Sequence, residues 1–353
     1  MIGRISYNRW LAVFASVFIL TGCGKDDFRH AEDDSILFRV NTPEVTLTKG
    51  EVTDETVETA SVVTVYETSV SGGALFNGSQ LTPEKNGEEY TGVWKPESGS
   101  TWSNYEYANL TFHATAYSPR NAVGNGLTIK SKGHEIMVSQ PHVYDPSSNI
   151  DFLYAQEVRV PTDISRKRVI PMNLEHAMAK VELYVYCSDA MANDDQITIA
   201  INELNIEGIH TDLTMVYAPQ STVEKWSRKD YGQADATYTL PAGFSVKARN
   251  DENMSDNLAM EFIAVPIGKA DMMAELNISY SVSVSSVDGG TPVEFEASFE
   301  LADYTSAGWM SNHKVKYELM IDTGISLKGR ITDWIEVDYI EGVVLPEIKG
   351  EQS

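Results

Sequence analysis

The chain alternates apolar and polar residues with a period of two over much of its length, a pattern that fits strands and little else. The signal is strongest past residue 178. Val181, Leu183, Val185 and Cys187 share one face of a strand, with Glu182, Tyr184 and Tyr186 on the other. Ile197, Ile199 and Ile201 repeat the pattern, and residues 203–206 shift its phase as a β-bulge does. Leu276, Ile278, Tyr280, Val282 and Val284 alternate with Asn and Ser, and residues 293–301 alternate with Glu294, Glu296 and Glu300. Residues 315–321 and 331–344 complete this set. Upstream, Ile36, Phe38 and Val40 mark a first strand, residues 61–70 a second, and residues 135–138 and 151–156 two more. Residues 105–117 put Leu110, Phe112, Ala114 and Ala116 on one face, and Thr111, His113 and Thr115 on the other. Helical periodicity is scarce: residues 84–89 and 221–229 are too short or too broken to exceed a turn or two. Short strands at regular spacing, punctuated by Gly72-Gly73, Asn77-Gly78 and Pro119, predict an all-β protein of sandwich type.

The core must hold without covalent help. Of 353 residues only two are Cys, Cys23 and Cys187. An apolar share of 42% with 17 Tyr is enough to build a core, and the length suits two ordinary domains. The formal net charge of −24 repels nucleic acid and anionic lipid, which excludes nucleic acid as a partner class.

The first residues are of another kind. Arg4 and Arg9 precede a short apolar run from Trp10 to Leu20, the order of a secretory signal peptide and too short to span a bilayer. It ends Leu20-Thr21-Gly22-Cys23, which resembles the lipobox of bacterial lipoproteins. The resemblance implies cleavage between Gly22 and Cys23 and acylation of the Cys23 thiol. Two or three acyl chains, at roughly 0.8 kcal/mol per buried methylene, exceed the single chain that anchors only marginally. Losing Arg4 and Arg9 with the signal takes the mature chain to −26. Lys25-Asp26-Asp27 follows at once and looks like the surface-export tag of some Gram-negative lipoproteins. Residues 1–22 thus read as signal peptide and 23–34 as a lipidated tether.

No pattern of catalytic or cofactor-binding chemistry occurs. There is no His pair on a helical turn, no nucleophile elbow and no phosphate-cradling Gly loop, so neither an enzyme nor a cofactor is expected. The seven His are scattered. His113 sits on the polar face of its strand, His134 and His142 lie in or beside loops, and His176 reads as a strand-entry residue bonded to a neighbouring loop. Trp94, Trp102 and Trp226, in polar surroundings, could form a carbohydrate platform, whereas Trp309 and Trp334 at strand ends fit core packing. The alternative this leaves is a surface glycan-binding lipoprotein of a nutrient-uptake system.

An ordered series of segments points elsewhere. Asp151-Phe-Leu-Tyr154-Ala155, Val169-Ile-Pro-Met-Asn-Leu-Glu-His176-Ala-Met-Ala-Lys180-Val181, residues 197–208, Gly308-Trp309-Met-Ser-Asn312-His-Lys-Val-Lys-Tyr317-Glu-Leu319 and Ile331-Thr-Asp333-Trp334 occur in this order. With the lipobox, the series resembles the fimbrillin-like lipoproteins, subunits of type V pili and their relatives. Pro161 to Arg168, with its basic run Arg166-Lys167-Arg168, reads as a linker between 35–164 and 165–346, with 347–353 as a tail, and the resemblance implies two transthyretin-like β-sandwich domains in tandem. It implies a non-catalytic structural or adhesive fimbrial subunit that assembles by lending a strand to its neighbour. Its partners would be other fimbrillin-like subunits, the outer membrane through the lipid, and surface ligands of a host or of other bacteria.

The residues after Trp334 suit a donor strand. Ile335, Val337, Tyr339, Val343 and Leu345 share one parity, interrupted by Glu341, and Pro346 stops the run. The same tail could equally complete its own sandwich, and the sequence leaves both open. Stalk pilins of the family are cut after an Arg. Here Arg39 lies inside the first strand and Lys49 stands where an Arg would suit, a departure that favours an anchor or accessory subunit keeping its lipid.

Overall fold

A computed structural model describes residues 35–41, 62–67, 75–87, 89–99, 101, 110–159, 169–218, 225–240, 243–250, 254–285, 291–322, 324–333, 336–344 and 347–348. Among these, no helix is long and apolar enough to cross a membrane. The first part holds β1 (Phe38–Asn41), β2 (Val62–Glu67), β3 (Asn77–Asn86), β4 (Glu89–Pro96) and β5 (Leu110–Ser118). It continues with β6 (Leu127–Lys130), β7 (Glu135–Ser139), β8 (Asp151–Arg159), β9 (Ile170–Asn173) and β10 (Glu175–His176). Then come β11 (Ala179–Cys187), β12 (Ile197–His210), β13 (Asp212–Tyr217), β14 (Trp226–Tyr231), β15 (Ala234–Thr239) and β16 (Lys247–Ala248). The remainder are β17 (Leu258–Ala264), β18 (Ile267–Gly268), β19 (Glu275–Val284), β20 (Val293–Glu300) and β21 (Gly308–Trp309). Last are β22 (His313–Ile321), β23 (Ile325–Asp333), β24 (Glu336–Val344) and β25 (Glu347–Ile348).

The protein is all-β, as its alternation predicts, and most expected strands occur. The phase shift in β12 is a true bulge: its pairing with β19 slips between Ile201 and Glu203. Two expectations change. Residues 226–231 form β14 rather than part of a turn, because Trp226 packs into a core and β13 supplies a partner. The run 331–344 is not one strand: β23 ends at Asp333 and β24 returns antiparallel beside it.

The first sheet has eight strands in the order β10-β8-β5-β2-β3-β4-β1-β9. It turns a corner within β3, whose first residues pair with β2 and whose later ones pair with β4. Its two ends meet covalently, since β9 and β10 are separated only by Leu174. β9 pairs with β1 in parallel and β10 with β8 antiparallel. Two strands beyond residue 165 therefore belong to this sheet. Inside it, Phe38, Phe76 and Phe112 meet, two pairs edge-to-face at 5.6 and 5.7 Å between centroids.

A second core lies between two further sheets. One holds β16-β11-β22-β23-β24, with β17 also on β11, and the other runs β15-β12-β19-β20-β25. Val181, Leu183 and Val185 of β11, Leu204 and Ile206 of β12, and Leu276 and Ile278 of β19 are all at most 2% exposed in this core. Gly329 of β23 is required there, because a Cβ would stand 1.5 Å from the carbonyl oxygen of Tyr304. A four-stranded sheet, β14-β13-β7-β6, ties the two parts together: β7 pairs with β13 across more than seventy residues of chain. Ile136, Val138, Leu213 and Met215 build a third core beneath it with Phe152 and Ile263.

Candidate functional site at the C-terminal sheet edge

β24 is the end strand of its sheet, and among the described residues β23 is its one partner strand. The row beneath is well formed: Ile325, Leu327 and Ile331 of β23 face the core and are at most 4% exposed. Pairing slips between Arg330 and Ile331, which changes the phase of β24. Val337 stands opposite core-facing Ile331, while Tyr339 and Val343 stand opposite Arg330 and Ser326. The apolar set chosen by parity is thus divided between register positions of opposite faces. Ile335 and Leu345 lie outside the described residues, as do Gly22, Cys23, Lys25, Asp26 and Asp27. Arg39 sits within β1, paired with Pro171 of β9, so a chain cut there would be cut within a paired strand.

The outer face of this sheet carries a charge network. Lys180 is 0% exposed and lies 3.4 Å from Glu182 and 3.5 Å from Glu261. Lys314 and Lys316 reach the same Glu182 at 3.1 and 3.7 Å, and the Tyr184 hydroxyl donates to it at 2.8 Å. Burial alone would raise the Glu182 pKa, but Lys314, Lys180, Lys316 and the tyrosine hydroxyl together hold it below the ordinary carboxylate range. Further along the face, Arg249 donates to Glu318 at 2.8 Å and to the Tyr186 hydroxyl at 3.1 Å. Cys187 is a buried free thiol pointing into the core, raised in pKa by burial, which suits packing rather than chemistry.

The histidines take structural places. His113, expected on a polar strand face, is 1% exposed because the turn at residues 131–133 and β13 cover that face. Its Nδ1 meets the Tyr154 hydroxyl at 2.5 Å and its Nε2 lies 3.3 Å from Nε2 of His134. Burial, then His134 and Lys132, lower the His113 pKa to about 3, and burial and Lys132 lower that of His134. Both rings are neutral at physiological pH. His176 bonds Asp151 at 3.0 Å through Nδ1, and its amide donates to Asn312, the loop contact expected of it. His142 lies 3.5 Å from Asp235 at the surface. Among the described residues no three His, Cys, Asp or Glu side chains converge as a metal-binding group.

The tryptophans do not form a platform. Trp94 is 3% and Trp226 5% exposed, each inside a core, and Trp102 lies outside the described residues. Trp309, expected in the core, is 1% exposed and donates its indole N–H to Tyr317 at 3.0 Å.

Comparison with known proteins agrees with this architecture. No curated protein matches the chain. A fimbrial protein from Bacteroides vulgatus shares its fold with a TM-score of 0.55 at 12% identity, over 84% of this chain and 99% of that one. A candidate cell adhesion protein from Bacteroides uniformis is similar at a TM-score of 0.49 and 15% identity, over 86% and 100%. A fimbrial assembly protein from Parabacteroides distasonis gives 0.42 and 11%, over 87% and 99%. The model of the fimbrillin-like family matches residues 50–334, most of the sequence, and the chain belongs to that family.

Proposed function

We propose that this chain is a non-catalytic structural or adhesive subunit of a cell-surface fimbria. It is exported as an outer-membrane lipoprotein through Cys23 and joined to neighbours by exchange of its last long strand. The observation that carries this reading is the position of β24: a nine-residue strand at a sheet edge, beside a row of core-facing residues. Such a strand can leave without breaking the centre of the sheet. The vacated edge then offers unpaired N–H and C=O groups to the β24 of another copy. The Leu20-Thr21-Gly22-Cys23 sequence supports the lipid anchor, and the family supports the surface location. Two sandwich units in tandem, bridged by the four-stranded sheet, would form the subunit's framework.

Two measurements test it. The N-terminus of protein recovered from the cell surface should be acylated Cys23, and Cys23→Ser should release the chain from the outer membrane. Val337→Asp, opposite core-facing Ile331, should abolish incorporation into fimbriae, since an unpaired charge would have to enter a neighbour's core. Fimbriae that still contain the Val337→Asp chain would end the strand-exchange reading.

A further inference from the structure

The second sandwich has two outer faces of opposite charge. On the five-stranded sheet, β12, β15, β19 and β20 contain no Lys or Arg at all. Their outward positions instead hold Glu203, Glu207, Asp235, Glu294, Glu296 and Glu300, all exposed. Half-buried Glu275 completes the set, and it stands directly between Glu207 on one neighbouring strand and Glu300 on the other. Like charges directly opposite across a ladder destabilise a sheet. Within this row Ser298 donates a hydrogen bond to Glu275. The four long strands carry this cost with no Lys or Arg of their own.

The opposite face, on β11, β16, β22 and β23, is rich in cations although the chain as a whole is at −24. Three lysines share Glu182, as described above, and exposed Lys247 lies in register with Tyr186 on the same face. Lys328 and Arg330 continue the face on β23, in register with Glu318 and Lys316. β17 adds Glu261, which meets Lys180, and β24 brings Glu336 and Glu341 to register positions at the margin; among the described residues the cations of this face still outnumber its carboxylates.

We infer that the acidic face of the five-stranded sheet docks on the basic face of the six-stranded sheet of a second copy. The contact is heterologous. Each copy uses one face and leaves its other face open, so association propagates side by side rather than closing as a dimer. This goes beyond the strand exchange proposed above, which joins subunits through main-chain bonds at a sheet edge. Its driving force is Coulombic between half-exposed groups, so it is weak, rapid and sensitive to salt.

Two reversed variants test it: Glu275→Lys with Glu300→Lys on one face, and Lys247→Glu with Lys328→Glu on the other. The full chain is purified as it exists in cells, in neutral detergent, and its self-association is followed by sedimentation velocity in about 20 mM and about 300 mM salt. The parent should associate in low salt and dissociate in high salt. Each variant alone should lose roughly tenfold or more in affinity, and a mixture of the two should form heterodimers through their intact faces. Circular dichroism establishes that both variants fold. A parent that is monomeric in low salt overturns the inference, and so does association that survives either reversal or a mixture that fails to pair. Strand-exchanged polymers persist in high salt, so loss of the fimbrial reading and loss of this one are read separately.

Discussion

Two strand faces with the same alternation in sequence are buried in opposite ways. On β5, His113 and Thr115 lie beneath residues 131–134, beside Tyr154 of neighbouring β8, whose ring packs on Tyr217 and Trp226. On β11, Lys180 and Glu182 are buried among their own neighbours on β17 and β22. The covered face holds no ions: burial moves His113 to about 3, so it remains a neutral imidazole between Tyr154 and His134. The other face keeps its ions because Lys180, Lys314 and Lys316 gather around Glu182 and Lys180 also meets Glu261, so opposite charges lie against one another. A polar position can therefore be buried under rings when it is neutral, or within a mesh of opposite charge when it is not.

The comparison can be broken at its strongest point first. Glu182→Gln leaves Lys180, Lys314 and Lys316 around an uncharged amide, and thermal unfolding should show a loss of about 3–5 kcal/mol. A loss below about 1 kcal/mol would mean that the mesh is not what holds this face. Acid titration of stability separates the two faces. His113 is neutral when folded and protonates near 6.5 when unfolded, so its contribution is complete above that value. It falls by roughly 1.4 kcal/mol per pH unit at most as pH drops from about 6.5 towards about 3. Glu182, also depressed in pKa, loses its contribution only below its ordinary value of 4.5. Denaturant midpoints measured from pH 7 to 5 should thus drift in the parent and drift less in His113→Phe, where His134, also lowered in pKa, supplies what remains. Tyr154→Phe takes one partner from His113 and should cost about 1–3 kcal/mol by the same assay. At the surface, Lys225 meets Glu175 at 2.6 Å with both side chains nearly half exposed. Lys225→Ala should change stability by no more than about 1 kcal/mol, and less in high salt.

Alternation made the strands legible, down to the bulge after Ile201, because a side chain's face follows from its parity. It could not say what lies over a face. His113 and Lys180 occupy polar positions of equal promise for solvent, and only tertiary structure decides what covers each. Pairing between distant strands was also out of reach. Nothing in Phe38-Arg39-Val40-Asn41 announces a parallel partner at Ile170–Asn173, and nothing in β7 names β13. Nor does the sequence announce that β9 and β10, which follow the basic run at 166–168, pair with strands of the first sheet. On the C-terminal strand, parity grouped Val337 with Tyr339 and Val343, and the slip at Arg330 separates them. The extra residue is Asp338 of β24 itself, which stands opposite no residue of β23, and nothing in its identity marks it as a bulge.

The parallel pairing of β1 with β9 has a mechanical consequence. A chain pulled from its N-terminal side and held from its C-terminal side transmits tension into β1 and out through β9, along opposite directions of two parallel strands. Their bonds, from Ile170 N–H to the Leu37 carbonyl at 2.9 Å through Leu174 N–H to the Asn41 carbonyl at 2.8 Å, then lie across the pull. They resist together in shear instead of opening one at a time like a zipper. The first sheet is closed by the very strands that would bear a drag force along the fibre axis.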